Sequence, residues 1–299
     1  MSGATLNEER VSLRTRLAEK GIDGTTLLIL PGIIFIFALF VYPFCYGLWL
    51  SFQPKVGGAL ANYEKFFSQP FLYNTIWTTM RLALPVTLIN LLISLPIAFR
   101  VRLMRNQRLL TTLLILPITL GTVLVAEGMI FYLGPQGWFN RILLTFGLIS
   151  APLKLVNNYW GVFISLVITG FPFTFLLILS YVTGIDPSLE QAAATLGANA
   201  RNRFREVFFP LLLPGLAITF CLAFVQAYSV LPSAVLVGDP ANATRVISIA
   251  AYQAATEEYD YPMASAIAMI MGVTQLGVVA LVLALRSLVY RGPVAAAKG

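Results

Sequence analysis

Few residues in this chain carry side chains able to do chemistry, and where they fall is informative. Arg81 and Glu127 are ionisable residues that interrupt long apolar runs. A charge at mid-bilayer depth costs at least ~2.5 kcal/mol on insertion scales, so each should face a cavity or a partner. Glu127 suits a cationic solute and Arg81 an anionic group. The alternatives are a structural ion pair, or Arg81 reaching toward the outer interface. Gln226, Tyr228 and Ser229 form a polar run next to Pro232. Such a run either lines a path for solute or hydrogen-bonds neighbouring helices.

Other chemistries are excluded by what the sequence lacks. It contains no His, which removes His-bearing metal sites, Ser-His-Asp triads and His proton relays together. No G-x-x-x-x-G-K-[ST] loop occurs, so any ATP that powers the protein binds another chain. Cys45 and Cys221 lie in apolar stretches and read as two buried thiols rather than a disulfide framework. With no Asp in the apolar runs, an intramembrane enzyme lacks the usual acid–base set.

The elements that must position these residues follow from composition. The chain is 58% hydrophobic and 11% charged, against roughly 25% charged in a soluble domain. Its outer surface must therefore face lipid. Crossing the ~30 Å hydrocarbon core takes about 20 helical residues, and six runs qualify, near 26–51, 74–99, 109–133, 159–182, 211–237 and 263–289. Prolines at 43, 85, 117, 172 and 232 fall inside them and are tolerated where neighbours or a polar cavity satisfy the freed carbonyls. The fold class predicted is all-α integral membrane, with a polar segment 1–25, a six-helix domain 26–289 containing a loop 184–210, and a tail 290–299.

Charge placement sets the expected orientation. Fourteen Lys and Arg lie in the N-terminal segment, the second-to-third and fourth-to-fifth connections and the C-terminal end, against five in the other connections. The positive-inside rule puts both termini in the cytoplasm. The same clustering between apolar runs argues that the net charge of +7 is a topology signal and that nucleic acid is not a partner. Tyr42, Tyr46, Trp49 and Phe52, and then Tyr159 and Trp160, mark outer interfaces.

The 184–210 loop is the most informative segment. Asp186-Pro187 is a helix start: Asp caps free amides, and Pro at the first position has no amide hydrogen to satisfy. Glu190 lies in the first turn, where negative charge suits the helix dipole, and Gly197 ends the helix by accepting a left-handed cap. A helix over 187–196 presents a small apolar face of Leu189, Ala192, Ala193 and Leu196. A second short helix carrying Arg201, Arg203 and Arg205 should follow. Such an element lies on the membrane surface or fits a partner's groove.

At these residues the chain resembles the inner-membrane permeases of binding-protein-dependent ABC importers (type I, MetI-like fold). Their loop signature is E-A-A, three residues, G, nine residues, I-x-L-P. Aligned on Gly197, Ala192 and Ala193 take the alanine positions, Val207 and Phe209 stand for Ile and Leu, and Pro210 matches. Gln191 replaces the signature Glu, with Glu190 directly before it, so an ion pair made at that position elsewhere is in doubt here. The opening LPGIIFIFALFVYPF and the Asn62-Tyr63…Phe66-Phe67 segment also look like the family's N-terminal half. Ile185–Glu190 and Pro210–Gly215 look most like the spermidine/putrescine type, while the sugar type more often has an acidic residue where Leu196 stands.

The resemblance implies that the loop is a coupling helix docking on an ATP-binding-cassette ATPase dimer, with no cofactor on this chain. It also implies an extracytoplasmic solute-binding protein and a second permease, a paralogue rather than an identical copy. The place is a bacterial inner membrane, and the cargo a small polar solute, polyamine-like first, with opines, aminophosphonates, amino-acid-like compounds or sugars as alternatives. The rival reading is a gradient-driven secondary transporter or channel, which should show inverted repeats or paired intramembrane carboxylates. The outer segment before the last span (Asp239, Glu257, Glu258, Asp260) is expected to be a loop facing the binding protein or solvent.

Overall fold

A computed structural model describes residues 24–289. The N-terminal residues before 24 and the tail 290–299 lie outside the described residues. The described chain is helical, and six of its helices or helix runs are long and apolar enough to cross a membrane. In lipid every backbone polar group must be satisfied within the segment, which is why such runs become helices.

The first span is built from α1 (Gly24–Ile36), a π-helical turn (Phe37–Val41) and α2 (Tyr42–Ser51). After the outer helix α3 (Ala61–Ser68), the second span is α4 (Pro70–Arg102). At 33 residues and ~1.5 Å per residue it is about 50 Å long. It therefore overshoots the bilayer and carries Arg100 and Arg102 out at its end. The third span is α5 (Gln107–Leu133), followed by the short α6 (Trp138–Thr145). The fourth is α7 (Tyr159–Thr183), started by Asn158, whose side chain accepts the Gly161 amide at 3.0 Å. The loop helix α8 (Pro187–Thr195) comes next, then α9 (Ala200–Asn202), a second π-helical turn (Arg203–Phe208) and α10 (Phe209–Tyr228). The chain closes with α11 (Pro232–Leu236), α12 (Ile247–Thr256) and α13 (Tyr261–Val289).

Five features differ from the sequence reading. Cys45, expected to be a buried thiol, is exposed on the first span, whereas Cys221 is buried. The fifth run is not one helix to Val237: α10 stops at Tyr228, and α11 begins at Pro232. Proline has no N–H to continue the ladder and its ring disfavours helix in the residue before it. The third span breaks at Gly121, which sits at φ 74°, ψ 164°, a left-handed region open to glycine. The segment expected as a separate helix after Gly197 runs without interruption into the fifth span. The outer segment expected as a loop is largely α12, with Ile247, Ile249, Ala250 and Ala254 buried. Both π-helical turns end just upstream of a proline, Pro43 and Pro210. A widened turn moves the carbonyl that the ring would otherwise strike.

The interior consists of two apolar clusters stacked along the spans. One gathers Leu82, Val86, Phe224 and Tyr228 with Ile247 of α12 and Met263 of α13. The other gathers Ala98, Phe175, Ile178 and Leu212 near the 184–210 loop. Between them α4, α7 and α10 contribute buried polar residues, Asn90, Ser94, Thr174 and Thr219. The first and third spans are barely buried, with 0% and 6% of their apolar windows covered. They stand against the bundle with side chains such as Leu28 and Phe131 open.

Candidate functional site

Two sites emerge, one at the 184–210 loop and one inside the bundle. At the loop, Asp186 accepts the Ser188 amide at 2.8 Å and caps α8, with Pro187 first in the helix. That backbone bond, helped by the Ser188 side chain, holds the Asp186 carboxyl below the ordinary carboxylate range. At the other end Gly197 adopts φ 85°. Its amide donates to Ala194 at 3.0 Å, and the Ala198 amide donates to Ala193 at 3.0 Å. Those two bonds form a Schellman motif, which closes the helix and satisfies carbonyls that would otherwise dangle. No residue of α8 is buried, and Leu189 and Leu196 stand 44% and 88% exposed. Gln191 and Ala192 are exposed and Ala193 half-buried.

Glu190 faces its own chain. Arg102 Nη2, at the end of α4, lies 2.9 Å from Glu190 Oε2, and Arg203 Nη1 lies 4.0 Å from Oε1. Arg102 also donates to the Val182 carbonyl at 3.4 Å. Its guanidinium sits 4.9 Å from the centre of the Phe208 ring and 5.9 Å from that of Phe99. The loop helix is thus tied to the ends of the second and fourth spans and to the start of the fifth. Gln191, at the position of the signature Glu, lies on an open groove of about 530 Å³ with Arg102, Pro187, Ala194 and Arg203. Val207 is half-buried in the π-helical turn, Phe209 is 42% exposed, and Pro210 opens α10. Sequence reasoning missed Arg102, which lies 88 residues from Glu190 and is linked to it by nothing local.

Inside the bundle, Gln226 and Ser229 line a cavity of about 170 Å³ together with Asn90, Thr122, Gly170 and Ser233. Both helix breaks open on it: Thr122 follows Gly121, and Ser229 and Val230 lie between α10 and α11. Irregular backbone at membrane depth persists only where protein buries it or a cavity wets it. Ser229 Oγ accepts from Gln275 Nε2 at 2.7 Å, and Ser165 bonds Ser233 at 2.9 Å. Tyr228 goes elsewhere: it is fully buried and its hydroxyl pairs with Thr274 at 2.9 Å, joining the fifth and sixth spans. Asn90 is a lining residue the sequence reading passed over, although a lone Asn within LINLLISL was a visible signal.

Arg81 and Glu127 are not brought together. Both are exposed on the single chain, and neither forms an ion pair among the described residues. The Arg81 carbonyl accepts the Tyr159 hydroxyl at 2.8 Å. On the outer side Asp260 lies 3.8 Å from Lys55. Arg245 packs with its guanidinium 3.9 Å from the Phe71 ring centre. Burial lowers the Arg245 pKa from its ordinary value, opposed by Glu258 and Glu257.

Comparison with solved structures decides the architecture. A bacterial alginate ABC transporter, solved in complex with an alginate pentasaccharide-bound periplasmic protein, contains a chain that superposes with a TM-score of 0.79 at 20% identity, covering 94% of this chain and 99% of that one. The fold is that of the ABC-importer permeases. A second structure, of a bacterial ABC transporter involved in the import of alginate, gives 0.73 at 19% identity over 91% of this chain and 97% of that one. Curated permeases are similar in sequence as well. The spermidine/putrescine permease PotB of Haemophilus influenzae is 32% identical over 181 residues, 60% of this chain and 63% of that protein. PotB of Escherichia coli K12 is 28% identical over 190 residues, 63% of this chain and 69% of that protein. The probable sulfate permease cysT of Prototheca wickerhamii is 30% identical over 152 residues, 51% of this chain and 58% of that protein. The match thus spans less than two thirds of the Haemophilus and Prototheca relatives. No protein-family profile matches the chain. Within this permease fold, α8 occupies the loop that bears the signature spacing, and the cavity lies between the second to fifth spans.

Proposed function

We propose that this chain is the permease subunit of an ATP-driven importer in a bacterial inner membrane, with both termini in the cytoplasm. It forms half of a pathway for a small polar solute, polyamine-like first, and hydrolyses nothing itself. The observation that carries the reading is α8: a nine-residue helix closed at both ends, held by Glu190 and exposing small residues. A rigid lever of this kind transmits closure of an ATPase dimer to membrane spans, because it fits a groove without bending. The exposed first and third spans, and Glu127 uncovered on the third, support a second permease completing the bundle. An extracytoplasmic binding protein delivers the solute. The PotB relatives favour polyamine, and the alginate transporters and cysT mark the sugar and anion alternatives.

The test is gentle purification of the tagged chain from its native host, with mass spectrometry of what accompanies it. An ATPase bearing a phosphate loop and a second six-span permease are expected. Recovery of the chain alone, under conditions that keep known importers intact, would overturn the reading in favour of a gradient-driven transporter. A residue-level prediction accompanies it. Glu127→Gln is expected to weaken uptake of labelled putrescine several-fold while leaving the complex assembled. Unchanged uptake would remove Glu127 from the pathway.

A further inference from the structure

The bundle cavity carries an unmet hydrogen-bonding demand. Asn90 is 2% exposed, and its Oδ1 has no partner. Its Nδ2 packs so tightly on Gly170 that a Cβ there would sit 2.7 Å away. The other polar side chains of the deep wall are paired: Ser165 with Ser233, and Thr169 with the Ser165 carbonyl at 2.9 Å. Among the described lining residues Asn90 Oδ1 is the buried side-chain acceptor left without a donor. An unpaired buried polar atom costs about 1–3 kcal/mol, so the site is built for something that supplies a hydrogen.

Four further observations narrow what that is. No charged side chain is among the described lining residues, so a carboxylate or sulfate finds no counter-charge, and a cation must be held by carbonyl and amide oxygens alone. The twenty-residue α10 ends at Tyr228, and Ala227 and Ser229 on either side of that end line the cavity. Its last carbonyls and the negative end of its dipole favour a cation there. A volume of about 170 Å³ holds an ammonium head group and the methylenes that follow it. From Asn90, buried, the wall continues to Gln226 and Ser229, which are exposed, so a linear molecule enters end first.

We infer that this cavity is a transit subsite for one primary ammonium end of a linear amine, with Asn90 Oδ1 accepting from the ammonium group. Gln226 and Ser229 form its mouth. The inference rests on the importer reading and deepens it. It separates the two kinds of solute named among the relatives, because sulfate at neutral pH has no proton to give Asn90 Oδ1.

The test uses the assembled complex, purified without binding protein, and reads the thermal shift given by putrescine, inorganic sulfate and glycerol in parallel. Putrescine should stabilise the complex, and sulfate and glycerol should not. Asn90→Leu, which removes the acceptor, should weaken the apparent putrescine affinity about tenfold or more. Asn90→Asp, which keeps an acceptor, should retain binding. Gly170→Ala gives a second route, since its methyl displaces the Asn90 amide and should reduce the putrescine-induced shift measured relative to that variant's own unliganded melting temperature, which overpacking lowers. A shift from sulfate or glycerol in place of putrescine, or a putrescine shift indifferent to Asn90→Leu and Gly170→Ala, would overturn the inference. A complex that contains its ATPase and still shows no putrescine shift sinks the subsite alone. Absence of the ATPase sinks the importer reading.

Discussion

Arg102→Ala is expected to cut transport by about tenfold to a hundredfold while membrane insertion and the level of the chain stay unchanged. The reason is where Arg102 sits. Its side chain is 12% exposed, and its guanidinium joins Glu190, the Val182 carbonyl and the Phe208 ring. A hydrogen bond to a charged group contributes about 1.5–3 kcal/mol, and a partly desolvated cation–π contact about 0.5–2 kcal/mol. Glu190 keeps one-third of its side chain in solvent, so screening holds the ion-pair share at the lower end. Arg203, at 4.0 Å, is too distant to replace Arg102. Without Arg102 the helix α8 still forms, because its caps are local, but its position relative to the second span is no longer fixed. Glu190→Gln should lower transport less, since Gln still hydrogen-bonds. The double substitution should be no worse than Arg102→Ala alone, because residues of one ion pair are non-additive. The measurement is solute uptake against ATP hydrolysis by the assembled complex. Hydrolysis that persists while uptake falls marks lost coupling. Independent, additive effects of the two substitutions would show that the pair does not act as a unit.

This ion pair marks how far sequence reasoning reaches. Helix α8 was legible because its determinants are local: Asp186 and Pro187 at one end and Gly197 at the other each act on the nearest few amides and carbonyls. The six spans were legible because lipid imposes a length and a composition on each. The breaks at Gly121 and between Tyr228 and Pro232 were harder. A glycine or proline in an apolar run is compatible with an intact helix, and which one yields depends on what the neighbouring spans leave open. Helix α12 hid for a similar reason, since charged residues beyond its end drew attention to the segment's solvent side while Ile247, Ile249 and Ala250 packed inward. In the cavity, Gln226 and Ser229 were found from their polarity beside a proline. Tyr228, picked by the same signal, turns to Thr274, since neighbours in sequence point about 100° apart around a helix. Glu190, one residue from the signature position, pairs within its own chain. Gln191 is left at the open groove.

Gly197→Asp is expected to abolish transport, and the structure says why that result would be diagnostic. Gly197 sits at φ 85° with nothing within 4 Å of where a Cβ would be. A side chain there meets no steric obstacle from its own chain. The penalty is the left-handed backbone, about 1–2 kcal/mol for an ordinary residue and less for Asp or Asn, which tolerate that region. The Schellman bonds from Gly197 and Ala198 use backbone atoms and survive the change. A loss of function far larger than this penalty must therefore come from something docked on the open side of α8. Gly197→Asn supplies the control: it has nearly the same shape and backbone tolerance, without the charge. If a partner groove covers this corner tightly, both variants lose ATPase binding. If the groove is spacious but electronegative, Asn is tolerated and Asp is not. Co-purification of the ATPase with each variant, read beside the melting temperature of the permease itself, separates these outcomes. Full transport in both variants would place the corner at Gly197 in solvent, and α8 would then be only a surface linker.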